Sequence, residues 1–149
     1  MAKVGRLLAE PDREPRAQSA ALPWRRTAAG EVEVLLVTSR ETRRWVVPKG
    51  WPIRGLRSFQ TAAREAFEEA GVKGQMGKKK LGAFHYDKRL RSGRLQRVRV
   101  TVYPLEVAVE SKVWPELGQR DKLWTTPQAA AELVQETELA EILRLFAPN

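Results

Sequence analysis

Three carboxylates within five residues of one predicted helix constrain this chain more than any other feature. Residues 50–72 read GWPIRGLRSFQTAAREAFEEAGV, and Glu65, Glu68 and Glu69 lie near the end of this stretch. At about 100° per residue, Glu65 and Glu69 lie about 40° apart around the helix, and Glu68 lies about 60° to the other side of Glu65. Like charges at such spacings destabilise a helix. The cluster therefore predicts a site for Mg²⁺, which binds through a few carboxylates, waters and substrate phosphates.

The same stretch resembles the signature of the Nudix hydrolases: Gly, five residues, Glu, seven residues, then Arg-Glu-apolar-any-Glu-Glu-any-Gly-apolar. The residues that match at this spacing are Gly50, Arg64, Glu65, Ala66, Glu68, Glu69, Gly71 and Val72. One position differs, because Leu56 stands where the signature has its first Glu. In the family that Glu supports the metal site, whereas the later Glu cluster holds the ions. The alternative interpretation is an acidic helix face that only meets solvent.

The resemblance implies a hydrolase that cleaves a diphosphate linkage with Mg²⁺, or with Mn²⁺ in its place. It implies that Glu65 and Glu69 bind the metal together with the backbone carbonyl of Lys49. A neighbouring carboxylate, assigned to Glu68, would accept the proton of the attacking water. Arg64 is expected to anchor the helix through an ion pair with Glu68 or a bond to a loop oxygen. The residues expected to support the site are Gly50, Arg64 and Gly71.

Two further segments resemble the branch of the family that hydrolyses diphosphoinositol polyphosphates and diadenosine polyphosphates. They are LLVTSR at residues 35–40 and RWVVPKG at residues 44–50. Members of that branch hold several phosphates with a basic rim. The positions of this chain that match such a rim are Ser39, Arg40, Lys88, Arg89 and Arg120. The resemblance therefore implies a small, highly phosphorylated substrate of one of these two kinds.

The formal net charge of +9 independently predicts an anionic partner. Nucleic acid is the commonest partner of so basic a chain. The carboxylate cluster favours a phosphorylated metabolite instead, because phosphate-binding cations would surround a metal-loaded site. The alternative substrates are ADP-ribose and the 5′ end of RNA. The alternative of another class is a nucleic-acid-binding module with an inactive signature, which only Leu56 favours.

The pattern along the chain predicts an irregular arm over residues 1–16 and one domain over residues 17–149. Strands are predicted near residues 19–25, 31–37, 45–47, 78–87 and 96–109, with a stiff loop at 48–52. A helix is predicted from an N-cap at Ser58 to a stop at Gly71. Thr126 and Pro127 predict the start of a helix over 128–135, and a last helix is predicted over 138–146. This order predicts an α+β fold, similar to the Nudix α/β/α sandwich with a mixed sheet between helices.

Composition bears on the location of the chain. There is no cysteine, and no apolar run approaches the ~20 residues that a membrane span needs. Residues 1–22 mix arginines with carboxylates and lack the apolar stretch of a signal peptide. We therefore expect a cytoplasmic enzyme that is a monomer or a homodimer and has no membrane partner.

Overall fold

A computed structural model describes residues 14–149, so residues 1–13 of the predicted arm lie outside the described part of the chain. The described strands are β1 (Arg16–Arg26), β2 (Val32–Thr38), β3 (Trp45–Val46), β4 (Lys49–Gly50), β5 (Val72–Met76), β6 (Gly82–Arg89), β7 (Leu95–Glu110) and β8 (Lys122–Thr125). The described helices are α1 (Ser58–Ala70), α2 (Pro127–Leu133) and α3 (Thr137–Leu145). Among these helices, none is long and apolar enough to cross a bilayer.

All eight described strands join one mixed sheet. Its main order is β3-β2-β1-β7-β5, with β6 paired to β7 and β8 paired to β2. The pairing of β1 with β7 is parallel, from Arg16 opposite Val98 to Trp24 opposite Glu106, and the other described pairings are antiparallel. The α+β fold with a mixed sheet is therefore as the sequence predicts.

The edge of β1 opposite β7 pairs with two different strands, β2 and β4. Residues Trp24–Arg26 pair with β2, whereas Ser19 and Ala20 pair with Gly50 and Lys49 of β4. The chain between them is tied to the sheet because the Ala21 amide donates to the carbonyl of Pro48 at 3.0 Å. Residues 48–52 were predicted as a stiff loop, but the pairing with β1 gives Lys49 and Gly50 strand geometry.

The core fills both faces of the sheet. In β7 the buried residues Val98, Val100 and Val102 alternate with more exposed ones, as the sequence predicts. Each such valine contributes about 1.5–3 kcal/mol by leaving water. Ser19 and Trp24 point to opposite faces because they are an odd number of positions apart in one strand, where side chains alternate between faces. Ser19 contacts the start of α1 and Trp24 contacts Phe146 just after α3, so helices cover both faces.

The start of α1 differs from the prediction by one residue. Arg57, not Ser58, occupies the N-cap position, and its backbone amide donates to the side chain of Gln60 at 2.8 Å. Ser58 is the first helical residue, and its hydroxyl hydrogen-bonds that of Ser19 at 2.6 Å. Ser58 therefore ties α1 to β1 instead of capping the helix. The end of α1 is as predicted, with Gly71 in the left-handed conformation at φ 72°.

Besides β4, the strands β5 and β8 escaped the sequence analysis, and several elements have bounds that differ from the predicted ones. In β5, Lys73, Gly74 and Gln75 are all exposed, so the strand lacks the alternation that reveals a half-buried strand. β8 has four half-buried residues and is held by its pairing with β2. β6 begins at residue 82 instead of 78, and α2 ends at residue 133 instead of 135. The Thr126 cap is as predicted, since its hydroxyl accepts from the Ala129 amide at 3.2 Å.

We predict that Gly71→Ala destabilises the fold more than Gly30→Ala. Both glycines have positive φ, 72° and 86°, which costs alanine about 1–2 kcal/mol. At position 71 the new Cβ would also lie 2.5 Å from the Trp114 ring, whereas at position 30 nothing lies within 4 Å. Urea unfolding should therefore show an extra loss of about 1 kcal/mol or more for Gly71→Ala. Equal losses of unfolding free energy in the two variants would show that the Trp114 ring moves aside without destabilising the fold.

Candidate active site

A cavity of about 640 Å³ lies beside β4, the middle of α1 and the loop that follows β2. Of the residues predicted from the sequence, it brings together Ser39, Arg40, Lys49, Gly50, Glu65, Glu69, Lys88, Arg89 and Arg120. The predicted residues that do not line it are Arg64, Glu68 and Gly71. Segments far apart in sequence therefore place carboxylates and cations around one space.

Gly50 allows a carboxylate to lie directly against the backbone of β4. A Cβ atom at this position would overlap the carboxyl group of Glu65. The pairing of Gly50 with Ser19 fixes the backbone at this point, so β4 cannot move aside without breaking the sheet. Any larger residue would push Glu65 away from the cavity. The close approach gives a physical reason for glycine here.

Glu65 and Glu69 form a poorly solvated pair of carboxyl groups. Glu69 is 5% exposed, and burial raises its pKa to about 8 against the opposing charges of Arg120 and Lys49. Burial also raises the pKa of Glu65, and the charge of Glu68 raises it further. A hydrogen bond with Glu69 partly offsets the rise in the pKa of Glu65, and a hydrogen bond between two carboxyl groups requires a proton on one of them. The pair therefore favours either a shared proton or a nearby cation.

Arg120 braces this pair from the side. Its Nη2 lies 3.4 Å from Glu69 Oε2, its Nε donates to Glu116 Oε1 at 2.9 Å, and its Nη1 donates to the Thr38 carbonyl at 3.1 Å. Each guanidinium nitrogen thus meets a protein oxygen. Phosphate binding by Arg120 stays a prediction, while the contacts seen are those of a structural brace. The sequence analysis missed Glu116, whose only signal is its i,i+4 spacing from Arg120.

Lys49 presents its side chain, as well as its backbone, to the cavity. Its Nζ lies 4.9 Å from the centre of the Tyr86 ring, a cation–π contact. Burial lowers the pKa of Lys49 to about 8, although Glu69 opposes this shift. Tyr86 is held by a 2.8 Å hydrogen bond from its hydroxyl to Gln18. Tyr86 and Gln18 line the cavity and were missed, because isolated polar residues on strands carry no sequence signal.

Glu68 and Arg64 are placed differently from the two cavity carboxylates. Glu68 is half-buried and acts on Glu65 through its charge. Arg64 is exposed, and within residues 14–149 it forms neither an ion pair with Glu68 nor a hydrogen bond to a loop oxygen, so the predicted anchoring is wrong. Arg64 instead lines a groove with Phe59, Phe67 and Leu56. The one departure from the signature, Leu56, therefore lies in an apolar groove outside the carboxylate cavity.

The comparisons with known proteins agree with this geometry. A family model described as the NUDIX domain matches residues 15–146. The chain belongs to the Nudix hydrolase family. Nudix hydrolase 21, chloroplastic, of Arabidopsis thaliana is 32% identical over 130 residues, which cover 83% of this chain and 61% of the relative. The diphosphoinositol polyphosphate phosphohydrolase 3-beta of Bos taurus is 36% identical over 109 residues, covering 70% of this chain and 62% of the relative.

The chain spans about three fifths of the length of these two relatives. Among solved structures, the C. elegans Ap4A hydrolase matches with a TM-score of 0.62 and 19% identity, covering 88% of this chain and 95% of that one. These likenesses confirm the predicted Nudix fold and the predicted resemblance to the diphosphoinositol and diadenosine polyphosphate branch. The names of several plant relatives specify chloroplasts or mitochondria, and the cytoplasmic location of this chain stays a prediction.

Nudix hydrolases generally use divalent metal cations. Among the described residues, no group of three or more acidic or histidine side chains converges on one point. The site nevertheless fits a hard cation, since Mg²⁺ needs only one or two carboxylates and completes its shell with water and substrate phosphate. Glu65 and Glu69 supply those carboxylates. A cation held between them would relieve the repulsion by which Glu65 helps to raise the pKa of Glu69.

We predict that the metal-free protein loses stability as pH rises from about 4.5 to about 8. The folded state keeps a proton on Glu69 across this window while the unfolded chain releases it, so unfolding becomes more favourable as pH rises. Glu69→Gln should flatten the dependence, and Glu31→Gln, an exposed control, should not. Melting temperatures measured with EDTA at several pH values provide the check. A wild-type curve that rises across the window would contradict a buried, protonated Glu69.

Proposed function

We propose that this protein is a Mg²⁺-dependent pyrophosphohydrolase that cleaves a diphosphate linkage in a diadenosine or diphosphoinositol polyphosphate. One observation carries the proposal: the half-buried Glu65 and the buried Glu69 share a cavity with the cations Arg40, Lys88 and Arg89. Nudix homologues act on phosphorylated small molecules, and the names of two matched proteins specify a diphosphoinositol polyphosphate and Ap4A. The carboxylates suit a cation and the rim suits an anion, as a metal–phosphate complex requires.

Glu65, Glu69 and the backbone carbonyl of Lys49 would hold the metal ion. When bound, Mg²⁺ neutralises phosphate charge and acidifies a coordinated water. The protein residues bind the substrate phosphates and accept the proton of the attacking water. Arg40 and Arg89 bind the phosphates away from the cleaved bond, because arginine can make two parallel hydrogen bonds to a phosphate. Both side chains are exposed at the cavity, so a substrate can reach them without disturbing the core.

The proton acceptor is one of two neighbouring carboxylates. Glu68 is the residue predicted from the sequence, and it lies close enough to Glu65 to raise the pKa of that residue. Glu65 lines the cavity directly, which Glu68 does not. A general base must reach the proton that it removes, either directly or through one water. Glu65 therefore stands as the alternative to Glu68, and kinetics separates them.

We predict that Glu68→Gln lowers kcat by roughly 10²–10⁴-fold with the fold intact, as expected for loss of a general base. Glu65→Gln should lower both kcat and Mg²⁺ affinity, because it removes a metal ligand. The measurement is the initial rate against Mg²⁺ concentration at saturating substrate, with circular dichroism as the check on folding. If the Glu68→Gln enzyme retains at least half the wild-type rate, Glu68 is not the general base and the role is assigned to Glu65.

We predict that affinity rises with the number of substrate phosphates. Diadenosine penta- and hexaphosphate or diphosphoinositol pentakisphosphate should give a higher kcat/KM than ADP-ribose, and the difference should grow at low ionic strength. Arg40→Ala and Arg89→Ala should each raise KM for these polyanions about tenfold or more, because each removes charge-assisted hydrogen bonds. Arg54→Ala, an exposed arginine outside the cavity lining, is the matched control and should leave KM unchanged.

The same substrate panel decides among the alternatives. It should contain ADP-ribose and an RNA with a 5′-triphosphate, with Mg²⁺, with Mn²⁺ and with EDTA. Equal use of ADP-ribose, unaffected by Arg40→Ala, would reject the polyphosphate assignment and keep the hydrolase. No turnover of any compound with either metal would reject the hydrolase and favour a nucleic-acid-binding module.

A further inference from the structure

A buried ion pair joins the wall of the cavity to the last helix. Arg44 Nη1 lies 2.5 Å from Glu136 Oε2, and the two side chains are 26% and 7% exposed. Arg44 lines the cavity just before β3, whereas Glu136 is the N-cap residue of α3. The residues are 92 positions apart in sequence. The pair therefore connects the phosphate-binding side of the cavity to a distant element.

Stability alone gives a poor account of this pair. The second carboxylate oxygen of Glu136, Oε1, is buried and has no hydrogen-bond partner among the described residues. A buried acceptor without a partner destabilises the folded state. A buried ion pair is also often no better for stability than two apolar side chains of the same size. The arrangement is therefore a poor source of stability for the fold.

The pairing leaves most of the Arg44 guanidinium free. This group has five N–H donors in a rigid plane, and only Nη1 is bound to an acceptor within residues 14–149. The positive charge of Arg44 lowers the pKa of Lys49, so the guanidinium lies near the cation beside the metal-binding carboxylates. A planar donor group fixed at one corner has lost most of its freedom before a ligand arrives. Such preorganisation favours binding of a phosphate.

Neighbouring arginines of the same loop are anchored differently. Arg40 Nη1 donates to the Gln119 side chain at 3.1 Å, and Arg43 Nη2 lies 2.9 Å from Asp121 in an exposed pair. Arg43 does not line the cavity. Among the arginines of this loop, Arg44 is the one held by a buried carboxylate. This contrast separates a general role in holding the loop from a specific role at the cavity.

We propose that Glu136 is a positioning residue, which holds the Arg44 guanidinium at the cavity wall so that its free donors bind a phosphate group of the substrate. The identity of the substrate rests on the proposed function, whereas the coupling of Glu136 to anion binding does not. Arg44 then belongs to the anion-binding set, and Glu136 acts only through Arg44. The effect of removing Glu136 must therefore vanish once Arg44 is gone.

A double-mutant cycle tests this dependence. The variants are Glu136→Gln, which keeps the size of the side chain, Arg44→Gln, which removes the guanidinium but leaves a polar side chain, and the double variant, which has no unpaired buried charge. Two quantities are measured for each: Kd for inorganic tripolyphosphate by calorimetry without metal, and KM and kcat for diadenosine pentaphosphate with Mg²⁺. Melting temperatures identify any variant that does not fold. Asp121→Asn, which breaks only the exposed pair with Arg43, is the matched control.

We expect Glu136→Gln and Arg44→Gln each to raise Kd and KM about tenfold, with kcat changed less than about threefold. The double variant should bind no more weakly than Arg44→Gln, and Asp121→Asn should bind as wild type does. Independent losses that multiply in the double variant, or a Glu136→Gln variant with normal Kd and a lower melting temperature, would overturn the inference. If the effects of the Glu136 and Arg44 substitutions on Kd depend on each other in this way but the protein turns over no substrate, the inference stands and the proposed hydrolase is rejected.

Discussion

The divided edge of β1 is the constraint on which the cavity depends. One edge of this strand pairs in parallel with β7, and the other pairs with β2 at one end and with β4 nearer the start. Because β2 and β4 occupy the same edge, the chain between them must turn away from β1 after β2 and return to it at β4. The loop that carries Ser39, Arg40 and Arg44 is part of that excursion. The basic side of the cavity therefore exists because two strands share one edge.

The acidic side depends on the same strand. β1 holds Gly50 through Ser19, and Ser19 also bonds the first residue of α1. These two contacts bring the β4 backbone against α1, where only glycine leaves room for Glu65. The carboxyl pair is thereby stripped of water, which raises the pKa of Glu69 and prepares the site for a cation. A change in the Ser19–Ser58 contact should thus affect metal binding as well as helix stability.

The sequence predicted the parts of this arrangement that follow local rules. Alternation marked β7, the glycine after α1 marked its end, and Glu65 and Glu69 followed from motif spacing. What it missed depends on contacts between distant segments. The exposed strand β5 shows no periodicity, and Glu116 is joined to the site only through Arg120, which contacts both Glu116 and Glu69. The prediction of an Arg64–Glu68 ion pair was wrong because i,i+4 spacing permits an ion pair without requiring one.

The distribution of charge explains how so basic a chain can have a defined binding site for a small anion. Exposed cations away from the cavity are often neutralised locally, as in the pairs of Arg25 with Glu33, Arg97 with Asp87 and Arg144 with Glu132. At the cavity the carboxylates Glu69 and Glu116 instead bind Arg120, and Glu136 binds Arg44. Both arginines keep their positive charge but lose mobility. The acidic residues around this site therefore order its cations, which separates it from a diffuse basic surface that attracts any polyanion.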